Sequence, residues 1–205
     1  MTAPEIDVVL FDLGGVLVDF DGVEAMKGLS AIDDDEELWR RWLGCPWVRA
    51  FERGDCSSDE FARGVVDDWS LPLSAREFLA EFESWIGGPL AGADELVRSM
   101  QRQVVVGCLS NTNSLHWTQN EPRWELLRAF DVRFLSFEMG CVKPDRDMFD
   151  RVAEQLACPR HRVLFLDDNT INVDGAVAAG FRAVHTVGID EARQALLTAG
   201  LDVDR

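Results

Sequence analysis

Residues 8–21 read VVLFDLGGVLVDFD, in which a short apolar run ends abruptly in an aspartate. The run VVLF (8–11) has the length and the β-branched content of a buried parallel strand. Asp12 follows it directly, and Gly14 and Gly15 come just beyond. In an open parallel sheet, ligands bind outside the carboxyl ends of the strands. Asp12 is therefore a candidate functional residue, and the two glycines predict a tight turn where the backbone approaches a ligand.

Further apolar runs along the chain also resemble buried strands. They are VVVGCL (104–109), RFLSF (133–137), VLFLD (163–167) and RAVHTV (182–187). Helical patterns lie between them, and this alternation predicts parallel strands joined by crossover helices. The sequence therefore predicts an α/β fold with a Rossmann-like parallel sheet.

The segment between the first two runs has a different character. It carries helical patterns rich in tryptophan and phenylalanine, which are predicted to form its own core. Ser57 with Glu60, and Ser74 with Glu77, have the spacing of helix-capping boxes. GGP (87–89) marks the way out of the segment. We predict a core domain made of residues 1–17 and 88–205, with a small helical domain, residues 18–87, inserted after the first strand.

The composition limits the classes of partner. With 20 basic and 37 acidic residues, the 205-residue chain has a formal charge of −17. Such a surface repels phosphate backbones and anionic lipid, so neither nucleic acid nor a membrane is an expected partner. The five cysteines show no CxxC spacing, and the N-terminal MTAPEID lacks a basic n-region. These features predict a cytoplasmic protein with reduced thiols, and they leave the oligomeric state open.

Polar side chains follow the predicted strands at one edge of the sheet. Asp12 ends the first run, Ser110-Asn111 the second and Asp167-Asp168 the fourth, while Lys143-Pro144 lies in the loop after the third. Three buried carboxylates are costly unless they are paired or bound to metal, and one lysine cannot neutralise them all. Mg²⁺, which prefers hard oxygen ligands, can. A carboxylate nucleophile, a hydroxyl donor, a lysine and a metal together indicate phosphoryl transfer.

These residues also carry a resemblance to a known family. FDLGGVLVD, LSNT, KP and FLDDNTINVDGA occur in the order of the four motifs of the haloacid dehalogenase-like (HAD) hydrolases. The insertion matches the position of the family's small helical cap. FERGDCSSDEF, LSNTNSLHW and DDNTINVDGA further resemble bacterial phosphatases that act on α-D-glucose 1-phosphate. The resemblance implies a Mg²⁺-dependent phosphomonoester hydrolase whose partner is a small phosphorylated metabolite.

The resemblance assigns a role to each motif residue. Asp12 matches the nucleophile that forms an aspartyl-phosphate, and it also matches a metal ligand. The Gly14 carbonyl and Asp168 match the other metal ligands, with Asp167 behind them holding a metal-bound water. Ser110 and the Asn111 amide match donors to the phosphate oxygens. Lys143 matches the catalytic cation that screens the nucleophile from the phosphate.

One position departs from the family pattern. Phosphatases of this family normally carry a second aspartate two residues after the nucleophile, as general acid and base, but Gly14 stands there. An acidic leaving group, a cap residue or a water could compensate, or the protein could be a catalytically weak relative that binds a phosphorylated ligand or a partner. A small residue here also resembles the phosphonate-cleaving branch, which uses a cap lysine, but Lys27 lies too early in the chain. The metal-free dehalogenase branch would leave Asp167 and Asp168 unexplained.

Overall fold

The computed structural model describes residues 6–203, and a five-stranded parallel sheet lies at its centre. The strand order is β5-β4-β1-β6-β7. The strands are β1 (Val8–Phe11), β4 (Val105–Ser110), β5 (Val132–Leu135), β6 (Val163–Asp167) and β7 (Arg182–His185). Every neighbouring pair in this sheet is parallel. All four residues of β1 are buried, as expected for a central strand covered on both faces. The predicted α/β class is confirmed.

Helices cover both faces of this sheet. They are α6 (Ala93–Met100), α7 (Ser114–Asn120), α8 (Glu125–Ala129), α9 (Ser136–Met139), α10 (Arg146–Leu156), α11 (Thr170–Ala178) and α12 (Gly188–Thr198), with a 3₁₀ turn at Arg160–Arg162. The run predicted as a strand at 133–137 ends at Leu135, because Ser136 already begins α9.

The inserted segment is framed by two short strands that the sequence did not predict. β2 (Val18–Phe20) pairs antiparallel with β3 (Ile86–Pro89). GGP (87–89), predicted as the exit from the insertion, belongs to β3, so the chain leaves the insertion along a strand. A side chain at Gly87 would collide with Asp19, so the glycine permits the close approach of the two strands.

Five helices lie between β2 and β3. They are α1 (Gly22–Leu29), α2 (Asp35–Gly44), α3 (Pro46–Glu52), α4 (Ser58–Trp69) and α5 (Ala75–Ser84). Both predicted capping boxes are present, at the starts of α4 and α5. Buried aromatic residues, including Trp42, Phe61 and Phe82, form a hydrophobic cluster of this segment. We call residues 18–87 the cap below, and their separation as a domain remains a prediction.

Across residues 6–203, the helices are too short or too polar for any of them to traverse a lipid bilayer.

Candidate active site

The carboxyl ends of the three central strands bring the predicted residues together. Asp12 follows β1, and the neighbouring strands β4 and β6 end in Ser110 and Asp167. The Asp12 carboxylate accepts a hydrogen bond from the main-chain N–H of Leu13 at 2.8 Å. It also lies 3.0 Å from the Lys143 Nζ atom. The carboxylate that follows β1 thus lies at the edge of the sheet where Lys143 and the other two carboxylates meet.

The two glycines after Asp12 have different structural reasons. Gly15 has φ +71°, a conformation that favours glycine, and any side chain there would overlap the carboxylate of Asp168. Gly14 does not have a positive φ, and a Cβ atom there would make ordinary contacts with Phe20 at 3.5 Å. The expectation that both glycines are needed for the turn is thus correct for Gly15 and wrong for Gly14.

Three carboxylates form an acidic cluster at this edge. Asp12, Asp167 and Asp168 each offer an oxygen, and these oxygens all lie within 4.8 Å of one another. Burial, together with the charges of the other two carboxylates, raises the pKa of Asp12 to about 8, although Lys143 opposes the shift. Burial and the charge of Asp167 raise the pKa of Asp168 to about 7. When all three carboxylates are ionised, their negative charge exceeds the single positive charge of Lys143.

Asp167 differs from the other two carboxylates because protein donors occupy both of its oxygens. One oxygen accepts a hydrogen bond from Lys143 at 2.6 Å, and the other accepts one from the Asn169 N–H at 2.8 Å. The Asn172 amide also donates to both oxygens. Asp167 is thus held by Lys143, Asn169 and Asn172, and its position behind the metal ligands stays a prediction.

Lys143 is buried between Asp12 and Asp167. Burial alone would lower its pKa, but the two carboxylates outweigh this effect and hold the pKa above its ordinary value. The ammonium group therefore stays charged. Its backbone is fixed by the Asn111 side chain, which accepts a hydrogen bond from the Lys143 N–H at 2.8 Å and donates one to the Lys143 carbonyl at 3.0 Å.

Ser110 and Asn111 lie at the end of β4 and face the same cavity as Asp12. They do not cap a helix, because α7 begins at Ser114 and its N-cap is Asn113, whose side chain accepts a hydrogen bond from the His116 N–H. The Asn111 side chain is engaged with Lys143, so the amide available for the predicted phosphate contact is that of the main chain.

A cavity of about 120 Å³ opens over these residues and extends into the cap. Sequence reasoning missed one titratable residue in its lining, Glu52, the last residue of α3. Burial raises the pKa of Glu52 to about 8 in spite of the opposing charges of Lys143 and Arg49. Glu52 is therefore mostly protonated at neutral pH. In the sequence, Glu52 was marked only by its place in the FERGD segment of the cap. The method of examining the residues at strand ends does not detect it, because Glu52 lies on a helix.

The cap lysine of the alternative hypotheses lies elsewhere. Lys27 pairs with Glu24 on its own helix, α1, and with Asp35 on α2. It is not among the residues that line the cavity. The structure therefore gives no support to a Schiff-base reaction at Lys27.

Two polar contacts join the cap to the sheet domain around the cavity. Arg49 on α3 forms an ion pair with Asp145, which precedes α10. His116 on α7 contacts the Phe82 carbonyl of α5 through Nε2, at 2.9 Å. Burial lowers the pKa of His116 to about 4, so this histidine is neutral near pH 7 and its contacts are structural.

A comparison with protein families identifies the class of this fold and site. The model of the haloacid dehalogenase-like hydrolase family matches residues 6–180, and the chain therefore belongs to this family of hydrolases.

Two relatives with assigned activities are named as phosphatases. The chain is 28% identical to a D-ribitol-5-phosphate phosphatase of Bacteroides thetaiotaomicron, with 84% of this chain and 88% of that protein aligned. It is also 28% identical to the sesquiterpene phosphatase AstK of Aspergillus oryzae, over 86% and 87% of the two chains. These names support the predicted phosphatase class, and they describe chemically different alcohols.

The fold also matches a solved structure of the family. A magnesium complex of the HAD family enzyme bt-2542 of Bacteroides thetaiotaomicron superimposes with a TM-score of 0.68 and 25% identity, covering 89% of this chain and 93% of that one.

Proposed function

We propose that the protein is a Mg²⁺-dependent phosphomonoester hydrolase that works through an aspartyl-phosphate intermediate. The observation that carries this proposal is the position of Asp12, which shares one site with the buried Lys143 and with two further carboxylates. The family membership, the phosphatase relatives and the magnesium complex of the structural neighbour support it.

The acidic cluster fits a bound Mg²⁺ ion. Its negative charge exceeds what Lys143 supplies, and Asn169 Nδ2 and Asn172 Oδ1 are buried beside it with no hydrogen-bond partner among residues 6–203. Asp12, the Gly14 carbonyl and Asp168 would hold the ion. When bound, Mg²⁺ would neutralise charge on the phosphoryl group and orient it toward the nucleophile.

The residues of the chain divide the reaction among them. An Asp12 carboxylate oxygen attacks phosphorus, and the bond to the leaving alcohol breaks. Lys143 reduces the repulsion between this carboxylate and the anionic phosphate. The Ser110 hydroxyl and the Asn111 main-chain N–H donate to the phosphate oxygens, while Asn111 also fixes Lys143 through its side chain.

Glu52 is our candidate for the acid that Gly14 cannot supply. It lines the cavity within reach of the charges of Asp12 and Lys143, and it is protonated near neutral pH. As a carboxylic acid it can protonate the departing oxygen, and as a carboxylate it can then activate the water that hydrolyses the aspartyl-phosphate.

The substrate is proposed as a small phosphorylated metabolite. Glucose 1-phosphate is a candidate because of the subgroup resemblance, and it departs as a relatively acidic hemiacetal oxygen. The main competitor is a catalytically weak relative that only binds a phosphorylated ligand.

The test is phosphate release from p-nitrophenyl phosphate with Mg²⁺ present. We expect turnover that EDTA abolishes and Mg²⁺ restores, and we expect the Asp12→Asn variant to lose more than about 99% of it, because loss of a nucleophile costs several powers of ten. Asp174→Asn, on the exposed face of α11, is the matched control and should keep full activity. Ligand binding without any turnover would favour the competitor.

A further inference from the structure

The cavity above Asp12 has an aromatic lining, to which both the cap and the segment around α7 contribute. Five of the seven tryptophans of the chain line it, and these are Trp39, Trp42, Trp85, Trp117 and Trp124. The side chains of Trp39, Trp117 and Trp124 are only half-buried, so they are not fully used by the protein core. The sequence predicted that the cap tryptophans form the core of the insertion, but Trp42 and Trp85 serve both that core and the cavity.

Polar side chains around α7 that line the cavity are engaged with one another. Asn113 contacts His116 Nδ1 at 3.2 Å and accepts a hydrogen bond from its N–H at 3.0 Å. The second ring nitrogen of His116 contacts the Phe82 carbonyl, and Asn120 donates to the His116 carbonyl. A sugar or polyol bound here would therefore find few free partners for its hydroxyl groups, and each unpaired hydroxyl weakens binding, which weighs against glucose 1-phosphate among the candidate substrates.

Charge is equally restricted. Among the described residues of the lining, Lys143 is the only cation, and it already pairs with Asp12 and Asp167. The acidic residues of the lining are Asp12, Glu52 and Asp168. A leaving group with a second phosphate or a carboxylate would thus meet no counter-charge beyond the reacting centre.

From this lining we propose that the leaving group is an uncharged, largely apolar alcohol. The cavity of about 120 Å³ includes the space of the phosphoryl group, since Asp12, Ser110 and Lys143 line it, so the leaving group is inferred from the apolar walls and not from the volume. Trp85 contributes its ring to this lining, and its Nε1 is buried with no hydrogen-bond partner in the described part of the chain. This inference rests on the proposed function for the reaction, but the recognition that it describes can be measured without turnover.

The binding test uses two phosphonates, in which a C–P bond replaces the ester linkage and prevents hydrolysis. With Mg²⁺ present, calorimetry should show benzylphosphonate binding about ten- to a hundredfold more tightly than methylphosphonate, because the ring buries apolar surface. Trp39→Gln and Trp124→Gln should each remove most of this gain. Trp47→Gln is the matched control, since Trp47 is a 40% exposed cap tryptophan outside the cavity.

The turnover test compares two esters of primary alcohols, benzyl phosphate and D-ribitol 5-phosphate. We expect kcat/KM to be at least about tenfold higher for benzyl phosphate. Equal binding of the two phosphonates, or a preference for the polyol ester, would overturn the inference even if p-nitrophenyl phosphate is hydrolysed. A benzyl preference in binding without phosphate release from any ester would support it and would instead refute the proposed function.

Discussion

At the residue scale, Gly14 and Gly15 show how adjacent identical residues can have unrelated causes. Gly15 is imposed by its positive φ and by the Asp168 carboxylate that occupies the space of its missing side chain. Nothing in the backbone requires Gly14, and the space beside it extends toward Phe20. Steric hindrance therefore does not explain why an acid is absent at this position, and the cap residue Glu52 is our proposed replacement for it.

A first prediction concerns Glu52→Gln. The amide cannot act as a general acid or base, so the rate with an unactivated alkyl phosphate should fall by about 10²- to 10⁴-fold. The rate with p-nitrophenyl phosphate should fall far less, because p-nitrophenolate leaves without being protonated. In the parent enzyme, activity toward the alkyl ester should decline as pH rises through the pKa of Glu52, about 8, because the acid form is lost. Steady-state kinetics between pH 6 and about 9.5 should show this alkaline limb, and it should be missing in the variant.

A second prediction uses the space beside Gly14. In the Glu52→Gln background, Gly14→Asp should restore part of the lost rate with the alkyl ester, because the new carboxyl lies two residues from the nucleophile and a Cβ atom fits there. Mg²⁺ binding must be measured in the same variant, since an added charge can disturb the metal site. Rescue of both esters to the same extent would contradict an acid-catalytic role at this position.

Much of the site was predictable from single residues because strand ends are visible in a sequence. Asp12, Ser110 and Asp167 terminate apolar runs that must be buried, and parallel strands place their ends at one edge. Glu52 was not predictable in this way. Its role depends on where α3 packs relative to β1, which is a tertiary property and leaves no periodic trace in the sequence.

At the element scale, α3 connects the cap to the reaction centre. It ends at Glu52, its Arg49 pairs with Asp145, and the turn after it contains Gly54 with φ +76°. A side chain at Gly54 would meet the Phe137 carbonyl of α9. The helix is thus fixed at both its side and its end, and these contacts determine where Glu52 lies above Asp12.

A third prediction follows for the ion pair of α3. Arg49→Gln and Asp145→Asn should each raise KM several-fold, because either change loosens the helix whose Glu52 forms part of the wall of the cavity. The double variant should be little worse than either single one, with a coupling free energy of about 0.5–1 kcal/mol, as for other partly exposed pairs. Arg53→Gln is the control, since Arg53 pairs with Asp55 inside the cap and should leave KM unchanged. Strictly additive effects would show that the pair does not act as a unit.

The elements themselves divide by how strongly the sequence encodes them. The strands of the central sheet were predictable because β-branched and apolar runs between helices have few other solutions. β2 and β3 escaped prediction because they are short, and β3 contains Gly87 and Gly88, which disfavour strands on their own. Their pairing is decided by the need to connect the cap to the sheet domain, which is a constraint of topology rather than of local propensity.

At the scale of the whole molecule, the dominant electrostatic feature is excess negative charge. The formal charge is −17, and the acidic cluster concentrates part of it in a buried site. Asp12 and Asp168, with pKa values raised to about 8 and about 7, bind protons in the folded metal-free protein that the unfolded chain has already released above about pH 4. The free energy of unfolding of the metal-free protein should therefore fall as pH rises from about 4 to 8.

The last prediction follows from this linkage between protons, metal and folding. Mg²⁺ competes with the protons on Asp12 and Asp168, so its stabilising effect should be small at pH 5.5 and should grow up to about pH 8. At a concentration about 100 times its Kd, a bound ion adds about 2.7 kcal/mol, or roughly 5–10 °C in Tm for a chain of this size. Differential scanning calorimetry with Mg²⁺ or with EDTA, at several pH values in between, measures the difference directly. Asp168→Asn should keep the fold but lose most of the Mg²⁺-dependent gain at every pH. A gain in Tm that is independent of pH, or that decreases toward pH 8, would mean that these two carboxylates do not bind the ion.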